Sequence, residues 1–281
     1  SRSGITYTET ITATTSTKLG EFHTPPIDGT LTASGVTGTV IGISTAQDLV
    51  NLAALSKSTD FSGKTFVLTN DIDMSGVSNW QMIGRSGCTF GGTYDGQNHT
   101  ISGLSIGLNS TSDVGGLFQY ADPDSVLKNV NLEDITINIA SGLTYACAGA
   151  LVGKTSGTVE NVNVSAFTIE GANSDNAEFG GIAGFLEAGT IKNSSAQGYI
   201  NWSNGGYAGG IVGCMYSSAT VYASKSQMSI EGGSNAGGIA GFVGFNADNQ
   251  TATISNCLFE GSLGVTDINA AFVGSVFTYQ D

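Results

Sequence analysis

The sequence predicts an all-β protein that folds as a parallel β-helix, a solenoid of stacked rungs. The first observation behind this prediction is a Gly-rich phrase that returns six times. Its copies begin at Gly115, Gly149, Gly180, Gly209, Gly237 and Ala270. The intervals of 34, 31, 29, 28 and 33 residues are typical of repeat proteins in which each unit stacks on the next.

The second observation is an alternating phrase that follows most copies of the Gly-rich one. It occupies residues 127–132, 159–164, 191–195 and 254–258, where apolar and polar residues alternate. This is the period of a strand with one buried face, and one unit cannot bury such a face alone. The recurrent Asn of the phrase is predicted to form a ladder of side-chain amides between rungs. In the fourth copy, Ser224 is predicted to take the place of that Asn.

The third observation is the choice of residues, which argues against a solenoid of helical pairs. Gly pairs recur where helix interiors would lie, and Val, Ile, Thr and Phe fill the apolar positions. These residues disfavour helices and favour strands. No segment of the repeat keeps a 3.6-residue spacing for three turns, so a β-solenoid fits best.

Composition limits the classes of partner. The 281 residues include 41 Gly and 3 Pro, and 23 acidic residues face 9 basic ones, for a net charge of −14. Nucleic acid and anionic membranes are therefore not expected partners, whereas cations and neutral sugars are compatible. The four cysteines are far apart in sequence and are predicted to be buried free thiols. No apolar run is long enough to span a bilayer.

In chain order, residues 1–43 are predicted to form a β-strand appendage, in which residues 5–12 pair with residues 30–33 and 39–43. Residues 44–281 form the main domain. It opens with a helix over residues 44–55, with Ser44 as N-cap and Gln47 at the capping-box position. This helix is predicted to cover the open end of the solenoid. No closing cap follows the last copy, so we expect another part of a larger chain to cover that edge.

Several phrases together resemble those of the GLUG-repeat proteins of bacteria. They are LTNDIDM at 68–74, WQMIG at 80–84, FGGTYDGQNHTISGL at 90–104 and VGGLF at 114–118. The resemblance covers about residues 44–274. It implies a right-handed parallel β-helix, outside the cell or on the bacterial surface, within a larger adhesin-like chain. Some members are labelled immunoglobulin A protease-like, but the H-E-x-x-H motif is absent from this sequence, so that activity is not carried over.

Catalysis on glycans would need two carboxylates that face each other across a groove. The candidates are Asp71, Asp73 and Asp95, although the Asp-Gly turn already explains Asp95. No catalytic constellation is recognisable, and the chain is expected to be non-catalytic. No cofactor is expected, except that calcium is a candidate ligand of Asp122 and Asp124.

Binding would rest on exposed aromatic side chains. The candidates are Trp80, Tyr145, Trp202, Tyr207 and Tyr216. We therefore expect an adhesion or scaffold module, secreted or on the cell surface, that presents loops to glycans or host surface proteins. The alternative is a polysaccharide hydrolase or lyase on the same scaffold, because a β-helix does not by itself decide function.

Overall fold

The computed structural model describes residues 26–109, 113–173, 176–216, 218–245, 251–265 and 267–277. In this part of the chain it contains thirty strands and one helix. The predicted strand at residues 5–12 lies outside the described residues, and so does its pairing with residues 30–33.

The elements follow one another with short connections. The first group is β1 (Leu31–Thr32), β2 (Gly35–Val36), β3 (Val40–Ile43), α1 (Ala46–Leu55), β4 (Thr65–Leu68), β5 (Ile72–Asp73), β6 (Thr93–Asp95), β7 (Thr100–Ser102) and β8 (Ser105–Leu108). The second is β9 (Val114–Gly115), β10 (Phe118–Ala121), β11 (Val126–Glu133), β12 (Thr136–Ile139), β13 (Tyr145–Gly149), β14 (Val152–Thr155), β15 (Thr158–Asn173), β16 (Asn176–Gly180), β17 (Ala183–Leu186), β18 (Thr190–Lys192) and β19 (Ser195–Ser203). The third is β20 (Gly206–Gly209), β21 (Val212–Tyr216), β22 (Thr220–Tyr222), β23 (Lys225–Gly232), β24 (Asn235–Gly237), β25 (Ala240–Gly244), β26 (Thr253–Ser255), β27 (Leu258–Phe259), β28 (Ser262–Gly264), β29 (Ile268–Ala270) and β30 (Val273–Phe277).

These strands build a parallel β-solenoid, as predicted. Sheet 1 contains sixteen strands, including β3, β4, β11, β15 and β26, whereas sheets 2 and 3 contain six each. Sheet 2 runs in the order β9-β13-β16-β20-β24-β29, and sheet 3 runs β10-β14-β17-β21-β25-β30. All pairings between rungs are parallel, and only β1 and β2 form an antiparallel pair of named strands. Each Gly-rich phrase therefore forms the corner at which the chain passes from sheet 2 to sheet 3.

The interior of the solenoid is a continuous apolar column. Residues at matching positions of successive rungs stack on one another, as in the series Leu127, Val159, Ile191 and Val221. All four of these side chains are fully buried. The column ends at an edge where β30 and its neighbours leave Phe272 and Phe277 about half exposed.

Helix α1 lies at the start of sheet 3. The Ser56 hydroxyl at its end accepts a hydrogen bond from Gly84 N at 2.8 Å, and Ile83 N in turn donates to Leu117 O at the edge of that sheet. Leu49 and Leu52 enter the core from the inner face of the helix. The helix thus covers one end of the stack.

The N-cap differs from the prediction by one residue. Thr45, not Ser44, caps the helix, because Asp48 supplies the capping box. The Asp48 carboxylate accepts hydrogen bonds from both Ser44 N and Thr45 N at 3.0 Å, while Thr45 Oγ1 accepts from Asp48 N. The Gln47 side chain donates instead to Asn51.

An asparagine ladder joins the first rungs of sheet 1. Asn129 Nδ2 donates to Asp95 Oδ1 at 2.9 Å, and Asn161 Nδ2 donates to Asn129 Oδ1 at 2.8 Å. Both Asn residues have a positive φ of 53°, the left-handed region that Asn tolerates better than most residues. The predicted ladder therefore exists at these rungs.

The prediction that Ser224 replaces the ladder Asn was wrong by one position. Strand register aligns Lys192 with Tyr222, so Ala223 occupies the Asn position, with a φ of 47°. Ser224 lies one residue later, where its hydroxyl donates to Tyr222 O and accepts from Ser194 N. A second ladder, made of hydroxyl groups, thus runs beside the asparagines in the later rungs.

The four cysteines are free, as predicted, but only Cys147 and Cys214 are buried, whereas Cys88 and Cys257 are half-buried. Within the described residues, no helix is long and apolar enough to cross a membrane.

Candidate functional site

The outward faces of sheets 2 and 3 meet along the outside of the solenoid, where side chains of the two sheets contact each other. Two rows of outward side chains form the walls of this junction. The sheet 2 row contains Cys147, Glu178, Tyr207 and Asn235 in register, and the sheet 3 row contains Tyr120, Lys154, Phe185, Cys214 and Phe242. We call this feature the aromatic groove. Cys147, Cys214 and Phe242 are buried but lie outside the apolar column of the interior.

In the five Gly-rich phrases that end in Gly, this last Gly lets the two walls approach each other. At Gly184, an added Cβ would lie 2.6 Å from both Ala148 N and Cys147 Sγ. Real Cβ atoms do not approach other atoms so closely, so a larger residue would push sheet 3 away from sheet 2. The Gly-rich phrase therefore shapes the groove as well as the corner.

Aromatic rings line the groove over three consecutive rungs. Tyr207 and Phe242 face each other across the walls with ring centroids 4.5 Å apart. Tyr216 stacks on Phe185 at 5.4 Å, with an interplanar angle of 26°, and lies 5.6 Å from Phe242. Tyr207, Tyr216 and Phe185 are half-buried, so each still presents part of its surface to solvent.

A polar cluster lies at the end of the groove nearer the N-terminus. Tyr145 Oη donates a hydrogen bond to Glu178 Oε2, and Lys154 Nζ lies 3.8 Å from the same oxygen. The Lys154 ammonium also stands over the rings of Tyr145 and Phe185, 4.7 and 4.9 Å from their centroids. Such cation–π contacts hold the ammonium against the groove floor. The cluster offers one acceptor and one cation beside the aromatic wall.

Burial keeps the groove hydroxyls and thiols protonated. Desolvation raises the pKa of Tyr207 and of Tyr216, and the pKa of Tyr145 is raised further by Glu178. Desolvation also raises the pKa of the Cys147 and Cys214 thiols well above the usual value. These thiols are therefore poor nucleophiles at neutral pH.

The groove continues into a polar cleft beyond Tyr120, which lines both. This cleft, of about 570 Å³, contains Trp80 and Gln81, with the cations Lys57 and Arg85 and the acid Asp113. We call it the N-terminal cleft. Trp80 is 5% exposed.

Of the predicted aromatic residues, the structure brings Tyr145, Tyr207 and Tyr216 into the groove and Trp80 into the adjoining cleft. Trp202 is elsewhere. It is 2% exposed, packs edge-on against Phe179 at 6.2 Å in the interior, and donates through Nε1 to Gly205 O.

The acidic candidates lie away from the groove, each held by local partners. Asp71 accepts from Thr100 N and lies 3.1 Å from His99 Nδ1, which together lower its pKa. Asp73 accepts from Ser75 N. Asp95 is buried, receives the Asn129 amide and pairs with Lys128 at 3.3 Å.

The proposed calcium ligands lie in one turn, where Asp122 Oδ1 accepts from Asp124 N at 3.0 Å. Burial raises the pKa of Asp122. In the described part of the chain, no three His, Cys, Asp or Glu side chains are grouped so as to hold a metal ion.

Sequence reasoning missed Lys154, Glu178 and Phe185 as groove residues. A signal was present, because each lies within two positions of a Gly of the Gly-rich phrase. The packing that turns their outward faces toward each other is not visible in that pattern.

The fold and the groove together define a class: a rod-shaped parallel β-solenoid with a lengthwise outer groove. No protein-family model matches the chain, so the GLUG resemblance rests on the sequence phrases alone. A crystallised Bacteroides ovatus protein, provisionally described as an immunoglobulin A1 protease, shares the fold with a TM-score of 0.53 and 17% identity, over 84% of each chain. A structure described as IgA1 protease gives a TM-score of 0.57 and 17% identity over 85% of this chain and 20% of its own.

A relative in sequence is the halomucin of Haloquadratum walsbyi, which is 33% identical over 147 residues. The match covers 46% of this chain but only 2% of halomucin. The chain thus resembles a small part of a much longer protein. At 17% identity, the two structural similarities concern the fold alone.

Proposed function

We propose that this chain is a non-catalytic glycan-binding module of a secreted or cell-surface protein, and that the aromatic groove holds an extended sugar chain. The observation that carries the proposal is the row of half-buried rings on consecutive rungs, at Phe185, Tyr207 and Tyr216. Sugar rings present apolar faces that stack on such platforms, and rungs recur about every 4.8 Å.

The polar groups beside the rings suit hydroxyl-bearing ligands. The Glu178 carboxylate accepts hydrogen bonds and the Lys154 ammonium donates them. The two can therefore bind sugar hydroxyls that act as donors or as acceptors. The net charge of −14 favours neutral sugars in the groove. In a shallow groove, each rung binds its sugar unit weakly. The affinity for an extended chain comes from several such contacts made at once.

The similarity to halomucin supports a place outside the cell, as do the GLUG-like phrases. Calcium at Asp122 and Asp124 stays a prediction, checked by calorimetry with calcium chloride.

The test is isothermal titration calorimetry with cellohexaose, mannohexaose and xylohexaose. We expect at least one to bind, and Tyr216→Ala to weaken it by about tenfold, which corresponds to ~1.4 kcal/mol. Tyr222→Ala is the matched control, because Tyr222 is 41% exposed on sheet 1, away from the groove. Binding that survives both Tyr207→Ala and Tyr216→Ala unchanged, or no binding by any hexaose, would contradict the proposal.

The hydrolase alternative is tested on the same samples. Glu178 is the carboxylate of the described groove walls, so a groove-based hydrolase would depend on it. Release of new reducing ends by the wild-type chain, lost in Glu178→Gln, would make this a glycan-degrading enzyme.

A further inference from the structure

The N-terminal cleft brings together two cations that have no carboxylate partner in the described part of the chain. Four of the seven described Lys and Arg side chains pair with an acid: Lys128, Lys154, Lys192 and Lys225. Lys57 instead donates to Met82 O at 2.7 Å and Gly84 O at 2.8 Å. Arg85 donates to Lys57 O and to Ser86 O. Their charges repel each other in an otherwise acidic protein.

The same cleft contains a buried donor without a partner. Trp80 lines it, and the Nε1 atom of its indole is buried with no hydrogen-bond partner among the described residues. Buried polar groups are normally hydrogen-bonded, so the unsatisfied indole N–H beside the cleft is an exception. Two cations without a carboxylate partner in the cleft favour an anionic ligand there.

The volume and the polar lining of the cleft limit which anions would fit it. It is polar, holds about 570 Å³, and shares Tyr120 with the groove. Gln81 and Asp113 provide partners for hydroxyl groups. A small inorganic anion would leave most of this volume unfilled, whereas a sugar that carries a carboxylate would fill it and continue into the groove.

We propose that the N-terminal cleft binds an acidic monosaccharide, a hexuronate or a sialic acid, at one end of the glycan held in the aromatic groove. The carboxylate lies against Arg85 and Lys57, and the sugar packs beside the Trp80 indole. This inference rests on the proposed function and adds the class of sugar that is recognised. It also marks a local exception to the general preference for neutral ligands.

The test uses the two tryptophans of the chain as reporters. In ¹⁵N-labelled protein, Trp80 and Trp202 each give one indole N–H resonance, and Trp80→Phe assigns them. Glucuronate and N-acetylneuraminate are titrated separately, with glucose as the neutral control. We expect one of the two acids to shift the Trp80 resonance, with a Kd of about 1 mM, while glucose leaves it unchanged. The Trp202 resonance, whose N–H is bound to Gly205 O, is expected to stay in place.

Arg85→Gln tests the charge, because the Arg85 side chain is exposed and surface substitutions of this kind change stability little. We expect it to weaken acid binding by about tenfold. The matched control is Lys64→Gln, which removes another cation without a carboxylate partner, bound to Gly38 O and outside the cleft. An unchanged Trp202 resonance verifies the fold of each variant.

The inference is overturned if neither acid moves the Trp80 resonance, if glucose moves it equally, or if Arg85→Gln binds as well as the wild type. Hexaose binding in the groove is measured independently. If the hexaoses bind and the acids do not, this inference fails and the proposed function stands. If neither class binds, both fail.

Discussion

Asn161 donates a side-chain hydrogen bond to Asn129, its counterpart one rung earlier, over 2.8 Å. Asn129 in turn donates to Asp95 and is 9% exposed. Each Asn thus donates to the residue one rung earlier, and the ladder ties three successive rungs of sheet 1 together. Asp95 and Asn129 are buried whereas Asn161 is exposed, so loss of the Asn129 amide affects a buried polar group directly.

Removal of the middle amide is expected to destabilise the chain. Asn129→Gly keeps a residue that tolerates the positive φ but removes one hydrogen bond from Asp95 and one from Asn161, so we expect the free energy of unfolding to fall by about 1–3 kcal/mol. Asn129→Ala adds the left-handed strain of about 1 kcal/mol. Urea unfolding measures both. Asn138→Ala, at an exposed strand position, is the control, and an equal loss there would argue against the ladder.

Ala223 has the left-handed backbone of the ladder without the side chain that suits it. Its φ is 47°, so Ala223→Gly should stabilise the chain by about 1 kcal/mol, and Ala223→Asn should also stabilise it. Thermal unfolding provides the measurement. Ala140, whose φ is not positive, is the control, since Ala140→Gly should not stabilise. A lower melting temperature for both Ala223 variants would refute the assignment of strain.

The corner glycines are expected to be intolerant of any side chain. At Gly209, an added Cβ would clash with Val212 O and would lie 2.6 Å from Gly241 N. Gly209→Ala should therefore lower the free energy of unfolding by about 3 kcal/mol or more. Gly107→Ala is the matched control, because nothing lies within 4 Å of its added Cβ. The melting temperatures of the two variants, measured by circular dichroism, should differ clearly. Similar melting temperatures would count against close packing at the corner.

Lys57 is expected to make stability rise with pH above neutrality. Desolvation, followed by the charge of Arg85, lowers its pKa to about 8, while Cys88 acts in the opposite direction. Between about pH 8 and 10.5 the unfolded chain binds more protons at this site than the folded one, so raising the pH favours folding there. Asp113 also lines the cleft.

The measurement is the melting temperature from pH 7 to pH 10, compared between wild type and Lys57→Arg. Arginine stays charged throughout this range. The melting temperature of the wild type should therefore rise relative to that of Lys57→Arg as the pH rises. A difference that stays constant with pH would contradict the lowered pKa. Comparison with the variant cancels the titration of other groups.

The sequence predicts the solenoid because its period is repeated in the chain itself. Each rung needs one Gly corner and one alternating strand, and both recur at intervals that strand pairing preserves. The helix at 46–55 was also predictable, apart from its cap, because Asp48 competed successfully with Gln47 for the capping box. These features depend on residues close in sequence or on exact repetition.

Only the tertiary structure decided where the candidate site lies. Tyr216 and Trp202 are both aromatic residues in strands, yet Tyr216 borders the groove and Trp202 is buried against Phe179. Alternation predicts two faces for a strand, but it does not say whether an outward face looks into solvent or toward the next sheet. That depends on the angle at the Gly corner, which close contacts such as that of Gly184 with Cys147 set in three dimensions. The sequence by itself determined the rod, and the packing of its corners decided the groove.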